Sequence, residues 1–232
     1  QILAFTDSDC ILDKNWVANI IRVFSEHDNA AAGTGPHPPI GTNGFAGWLH
    51  HMWFLVETDK TGFTGGIIGG NSYFKTEALD KIGGWPSLPF SNAEDVYISI
   101  KLIESGYKLW FDESIIANHK YADNFLSLMK KTITSGKAIT YMMKTTGIRK
   151  HIWIYTLAIP FVAVSGLISI VLLFYSLKLG LISSAVIFGG TFIFLWYRFR
   201  TLKLTIPRFL ARWILIWPYA WGILKGLKQP NP

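Results

Sequence analysis

Apolar and polar residues alternate in short blocks over the first 120 positions and then give way to long apolar runs. Ile2-Leu3-Ala4-Phe5-Thr6 is an apolar stretch halted by Asp7-Ser8-Asp9, the pattern of a buried strand whose carboxyl end presents polar groups. Asp13 is placed to cap a helix in which Trp16, Val17, Ile20, Ile21 and Phe24 share one face. Gly33 to Gly44 is rich in Gly and Pro and predicts a loop, and the aromatic stretch Phe45 to Val56 predicts a helix. The glycines of Gly65-Gly66-Ile67-Ile68-Gly69-Gly70-Asn71 imply a backbone that something must approach closely. Thr76-Glu77 starts a short helix that Gly83-Gly84 ends, and Glu94-Asp95 opens another that runs to Glu104 and closes at Gly106. Strands at Lys108 to Phe111 and Ile115 to Ala117 then lead into Asn118-His119. Strands alternating with helices over residues 1–120 predict an α/β fold.

The later pattern is different. Phe125 to Lys150 is amphipathic and basic, with Lys130, Lys131, Lys137, Lys144, Arg149 and Lys150, as expected of a segment lying on a headgroup surface. Ile152 to Leu177 is an uncharged run of 26 residues and Leu179 to Tyr197 one of 19; a bilayer core needs about 20. Lys178 and Gly180 mark the turn between them, so a tight transmembrane hairpin is expected. Arg149 and Lys150 precede it, Arg198, Arg200 and Lys203 follow it, and Trp153, Tyr155, Trp196 and Tyr197 fall at one level. That distribution predicts cytosolic outer ends and a cytoplasmic α/β domain at the cell (inner) membrane. Ile206 to Leu224, with Arg208, Arg212 and a Trp at every fourth position from Trp213, is expected to be an interfacial or re-entrant helix. The predicted organisation is thus a 1–123 α/β domain, a 124–151 basic interfacial segment, two transmembrane helices over 152–197, and a 198–232 interfacial helix and tail.

Charge sharpens this division. Residues 1–123 carry fifteen Asp and Glu against eight Lys and Arg, whereas residues 124–232 carry fourteen Lys and Arg and no acid. Cations interleaved with aliphatic and aromatic runs suit an anionic lipid surface and argue against nucleic acid as a partner. Cys10 is the only cysteine, so no intrachain disulfide forms, and a small buried residue is the expected role. His37, His50 and His51 fall in plausible loops with nothing to tie them to a metal, and a structural role is expected for them.

On an extended chain Asp7 and Asp9 point the same way and can share a hard divalent cation. D-x-D alone is a weak signal. Here it stands in F-T-D-S-D-C and is followed, in order, by G-G-N-S-Y-F-K-T-E-A-L-x-x-I-G-G-W, by A-E-D-V-Y-I-S-I-K-L-x-x-x-G-Y-K-L and by A-N-H. In these four blocks the chain resembles the family 2 glycosyltransferases over Ile2 to Tyr121. The resemblance implies the C-terminal portion of a GT-A nucleotide-sugar transferase domain that is inverting and dependent on Mg2+ or Mn2+. It places the metal on Asp7, Asp9 and His119, the catalytic base at Asp95 with Glu94 beside it, and substrate contacts at Ser8, Gly69, Gly70, Asn71 and Trp85. It further implies that the family's base-binding first half precedes Gln1, and that this chain by itself binds donor poorly.

The Q-x-x-R-W block of many processive members has no counterpart between Phe125 and Tyr141. Single-sugar transfer from a nucleotide-sugar donor to a lipid or lipid-linked acceptor is therefore expected, rather than polymer synthesis. Two alternatives stand beside it: a catalytically inactive, transferase-like membrane scaffold, and a haloacid-dehalogenase-like phosphatase, which also begins with a strand and D-x-D.

Overall fold

A computed structural model describes residues 1–41, 44–54, 60–89, 93–122, 124–145, 149–199 and 202–229, and the chain divides into two compact units, Gln1–Asn124 and Phe125–Pro232. In the first, β1 (Ile2–Thr6), β2 (Cys10–Leu12), α1 (Trp16–Glu26), β3 (Ala30–Thr34), α2 (Gly44–Phe54), β4 (Gly62–Thr64), β5 (Asn71–Lys75), α3 (Thr76–Lys81), α4 (Glu94–Glu104), β6 (Lys108–Phe111) and β7 (Ala117–His119) follow in order. The main sheet runs β1-β5-β3-β6-β4, with β3 and β6 parallel and the other neighbours antiparallel. β2 and β7 form a separate antiparallel pair.

Side-chain alternation on β5 shows why helices cover both faces of the sheet. Tyr73 packs with Trp16, Ile20, Val23 and Phe24 of α1, whereas Phe74 packs with Ala78, Leu79, Ile98 and Leu102 of α3 and α4. The α/β expectation holds. Several details differ from the sequence-based reading. β1 is an edge strand, half exposed along its length, rather than buried. Val17 and Ile21 point outward, because one helical face already fills the space over Tyr73. Asp13 is not the cap of α1: its carboxylate accepts the Asn15 N–H at 2.8 Å and its carbonyl the Trp16 N–H, so it shapes the turn before the helix.

Residues 33–44 do not form one long loop, since Ala30–Thr34 is the buried central strand. A Cβ on Gly33 would lie 2.4 Å from the Tyr73 ring and 2.5 Å from the Trp110 carbonyl, so this strand accepts only glycine there. The last predicted strand begins at Ala117 rather than Ile115. The predicted helix through Val56 is described as far as Phe54, and Leu55 and Val56 lie outside the described residues.

Asp112, buried at the end of β6, accepts hydrogen bonds from the Ser114 N–H and hydroxyl and from Arg22 of α1 at 2.9 Å. Burial alone would raise its pKa, but the Ser114 and Arg22 hydrogen bonds outweigh it and hold the carboxyl below its ordinary range. A depressed folded pKa gives stability that is present above the unfolded value and lost as pH falls through the folded one. Arg22 is 40% exposed, which screens the ionic part. Asp112→Ala is expected to destabilise the protein by about 1–3 kcal/mol at neutral pH and by progressively less as pH falls below the ordinary aspartate value of about 3.9 and through the folded one, as read by denaturant unfolding across that pH series.

The second unit is helical: α5 (Phe125–Thr145), α6 (Arg149–Tyr175), α7 (Leu177–Ser184), a π-helical turn at Ala185–Gly189, α8 (Gly190–Phe199) and α9 (Leu202–Lys228). Ser176 separates α6 from α7, and its hydroxyl accepts the Leu179 N–H at the head of α7. Among the described residues one helical stretch, Leu177–Tyr197, is long and apolar enough to cross a membrane, and Ile159–Tyr175 is a shorter apolar helix. The side chains of 151–158, with Trp153 and Tyr155, lie outside the described set, as do those of Arg149, Lys150, Arg198 and Lys203; Arg200 lies outside it altogether.

Packing adds to the expectation for α5. α5 is not simply a surface helix, for Leu128, Ala138 and Met142 are buried and Lys144 Nζ donates to the Gly226, Leu227 and Gln229 carbonyls at 3.0, 2.9 and 2.7 Å. The ammonium thus caps the carbonyl end of α9, where the helix dipole favours a cation. Residues 206–224 lie within one continuous helix of 27 residues that carries Pro207 and Pro218.

Candidate active site

The turn after β1 brings the first acids together. The Cys10 N–H bonds the Asp7 carbonyl at 3.1 Å, closing a tight turn over Asp7-Ser8-Asp9-Cys10. The two carboxylates therefore converge through a turn and not through strand alternation, with Ser8 exposed at its tip. Cys10 then pairs with His119 across β2 and β7. That register sets His119 Nε2 3.4 Å from Asp9 Oδ1 and 3.9 Å from Asp7 Oδ2. The carboxylate side chains are 57% and 49% exposed while His119 is buried, so the donors face outward from a fixed imidazole.

The glycine-rich loop lies between this group and α4. The Asp95 carboxylate accepts the Gly69 N–H at 3.2 Å and the Val96 N–H at 2.8 Å, and Ser99 Oγ accepts the Ile67 N–H at 3.1 Å. A Cβ added at Gly69 would meet Asp95 at an ordinary 3.7 Å, whereas one at Gly70 would lie 2.4 Å from Asp7 Oδ2. Asp7 and Asp95 thus flank adjacent residues of one loop. Burial raises the Asp95 pKa, against the hydrogen bonds from Gly69 and Val96, and the Asp7 charge raises it further. Glu94 is raised as well, by burial and then by the charges of Asp95 and Asp7. A carboxyl raised above its ordinary range is a stronger base once ionised, the property a general base needs.

Two expected substrate contacts are placed differently. Asn71 is fully buried: its Oδ1 accepts the Trp16 indole N–H at 2.8 Å and its Nδ2 donates to the Pro36 and Ile115 carbonyls at 2.9 and 2.8 Å. It fastens β5 to α1 and the neighbouring loops. Trp85, 38% exposed, stacks on Phe5 of β1 with ring centroids 4.4 Å apart.

His37 joins the group that sequence reasoning left without it. Its Nε2 lies 3.2 Å from Cys10 Sγ and its ring 4.5 Å from that of His119, while the Tyr121 hydroxyl donates to the His37 carbonyl at 2.7 Å. Because that O–H is committed, the 3.0 Å contact between His51 Nδ1 and Tyr121 has the imidazole as donor. Burial, opposed by hydrogen bonds to Thr6 and Asp7, raises the Cys10 pKa and keeps it a thiol. The loop flanked by prolines, 36–39, is drawn in by the Pro38 carbonyl accepting the His119 N–H at 2.8 Å, a contact with no local sequence signal.

A mixed sheet under helices, with carboxylates converging on a glycine-rich loop from a strand end and a helix start, is the build of a group-transfer enzyme. A family model described as Glycosyl transferase family group 2 matches residues 2–225, so the chain belongs to that family and is a glycosyltransferase with a nucleotide-sugar donor. The match favours a transferase over the phosphatase that D-x-D alone allowed. No curated protein matches the chain.

Proposed function

We propose that this protein transfers a single sugar, with inversion, from a nucleotide donor to a lipid or lipid-linked acceptor at the cytosolic face of the cell membrane, using Mg2+ or Mn2+. The observation that carries the reading is the placement of Asp7 and Asp95 on either side of the Gly69-Gly70 peptide. Asp7, Asp9 and His119 fit a divalent ion by donor type, two carboxylates and an imidazole, a set that suits Mn2+ somewhat better than all-oxygen Mg2+. An ion held there supplies positive charge to the diphosphate as the bond to the sugar breaks. Asp95 takes the proton of the acceptor hydroxyl while that oxygen attacks the anomeric carbon from the side opposite the departing diphosphate. Glu94 stands beside it at the helix start, its own carboxyl raised by burial and by the Asp95 and Asp7 charges.

The 1–123 portion is the catalytic part in this reading, and the helical remainder holds it beside its acceptor. The broad apolar surface of the second unit, including Phe161, Val171, Phe174, Leu177, Ile193 and Phe194, supports a lipid setting. Membranes carrying the intact protein, supplied with labelled nucleotide sugars and Mn2+, are expected to put one labelled sugar on a solvent-extractable lipid, with its anomeric configuration opposite to the donor's. Label in a long polymer, or a retained configuration, would count against the proposal.

A further inference from the structure

We infer that Cys10, His37 and His119 form a second metal site, beside the carboxylate pair and sharing Cys10 and His119 with its group, that takes a thiophilic divalent ion of the Zn2+ class. One ligand atom from each of the three residues lies within 4.8 Å of the others. A tetrahedral Zn2+ with bonds of about 2.3 Å to sulfur and about 2.0 Å to nitrogen separates its ligand atoms by about 3.5 Å. Cys10 Sγ and His37 Nε2, at 3.2 Å, are already near that spacing. Both imidazoles are buried, and their backbones are fixed: His119 by the β2–β7 pairing and the Pro38 carbonyl, and His37 by the Tyr121 hydroxyl on its own carbonyl. Little ordering remains to be done on binding.

Donor chemistry separates this set from its neighbour. Asp7 and Asp9 are hard oxygen ligands open to solvent, whereas one thiol and two imidazoles prefer a softer ion. Binding replaces the Cys10 thiol proton, which leaves to bulk water, with a Zn–S bond. Asp7 and Asp9 group with the same Cys10 and His119, ligand atoms all within 4.8 Å, so an ion on the soft set and one on the hard set draw on shared ligands. Occupancy of the two sites is therefore competitive. The competition clause rests on the proposed catalytic role of Asp7 and Asp9, but the existence of the soft site does not.

The test uses the intact protein in detergent with Co2+ as an optical stand-in for Zn2+. One equivalent of Co2+ is expected to give a thiolate-to-cobalt charge-transfer band that Zn2+ bleaches. Cys10→Ser abolishes the band, Asp9→Asn retains it, and His37→Asn weakens Zn2+ binding by about 100-fold, at least the loss typical of a ligand's supporting partner. Circular dichroism melting shows which variants are folded, and Cys10→Ala replaces a Ser variant that is not. No charge-transfer band in the wild type, a band lost in Asp9→Asn, or unchanged Zn2+ affinity in folded Cys10 and His37 variants overturns the site. In the second arm, Zn2+ inhibits Mn2+-supported transfer in the wild type, and the His37→Asn variant, altered outside the carboxylate group, resists that inhibition. A band together with turnover indifferent to Zn2+ overturns the sharing of Cys10 and His119.

Discussion

Asp95→Asn is expected to lower sugar transfer by about 10²–10⁴-fold, the usual contribution of a positioned general base, while leaving donor binding close to wild type. Its carboxylate accepts the Gly69 and Val96 N–H groups, one on each oxygen. An amide keeps one of these bonds and turns its NH2 toward the other donor, a cost of about 1–2 kcal/mol that the unit should survive. The pH profile gives a second readout. Burial and the Asp7 charge raise the Asp95 pKa, so the group becomes an active base only as pH rises through a value above the ordinary aspartate range. Wild-type turnover should show that acid limb, and the residual activity of Asp95→Asn should lack it. Loss of donor binding equal to the loss of turnover would make Asp95 a binding residue instead.

Gly70→Ala should lower turnover by about 100-fold or more, whereas Gly69→Ala next to it should stay within about threefold of wild type. The difference is steric. A methyl at Gly70 would sit 2.4 Å from Asp7 Oδ2 and 3.1 Å from the His37 ring, so the carboxylate must move by about 1 Å, a displacement of the size that costs two orders of magnitude in a positioned site. A methyl at Gly69 meets Asp95 at 3.7 Å, ordinary van der Waals contact, and leaves the N–H that Asp95 accepts in place. Steady-state kinetics on the two variants, with Mn2+ affinity alongside, separates the effects: weakened Mn2+ binding is expected in Gly70→Ala only. Equal losses in both would mean that the loop itself, rather than Asp7, is the sensitive element.

Much of this site is visible in the amino-acid order because its signals are local. A strand stopped by Asp7-Ser8-Asp9, two acids opening α4 and a glycine run between them each carry a backbone meaning within a few residues. β3 escaped notice for an equally physical reason. Ala30 to Gly33 has low strand propensity, and only the ring of Tyr73 and the Trp110 backbone, 40 and 77 positions beyond Gly33, explain its small side chains. Asn71 was legible as important but not in kind, because its partners Trp16, Pro36 and Ile115 are scattered along the chain. His37 depends on long-range pairing in the same way: it reaches Cys10 only because β7 draws residues 38–40 against it. In the helical unit, composition marked the apolar runs, but the docking of α5 on α9 rests on contacts such as Lys144 with three distant carbonyls, which charge counting assigned to a lipid surface.

Manganese electron paramagnetic resonance, titrating Mn2+ into the intact protein with donor nucleotide present, separates the ion-holding acids from the proton acceptor. Asp7→Asn and Asp9→Asn should leave most Mn2+ free and turnover abolished, while Asp95→Asn should bind Mn2+ like wild type and still fail to transfer sugar. Tight Mn2+ binding with full turnover in the Asp7 and Asp9 variants would contradict the assignment of those residues.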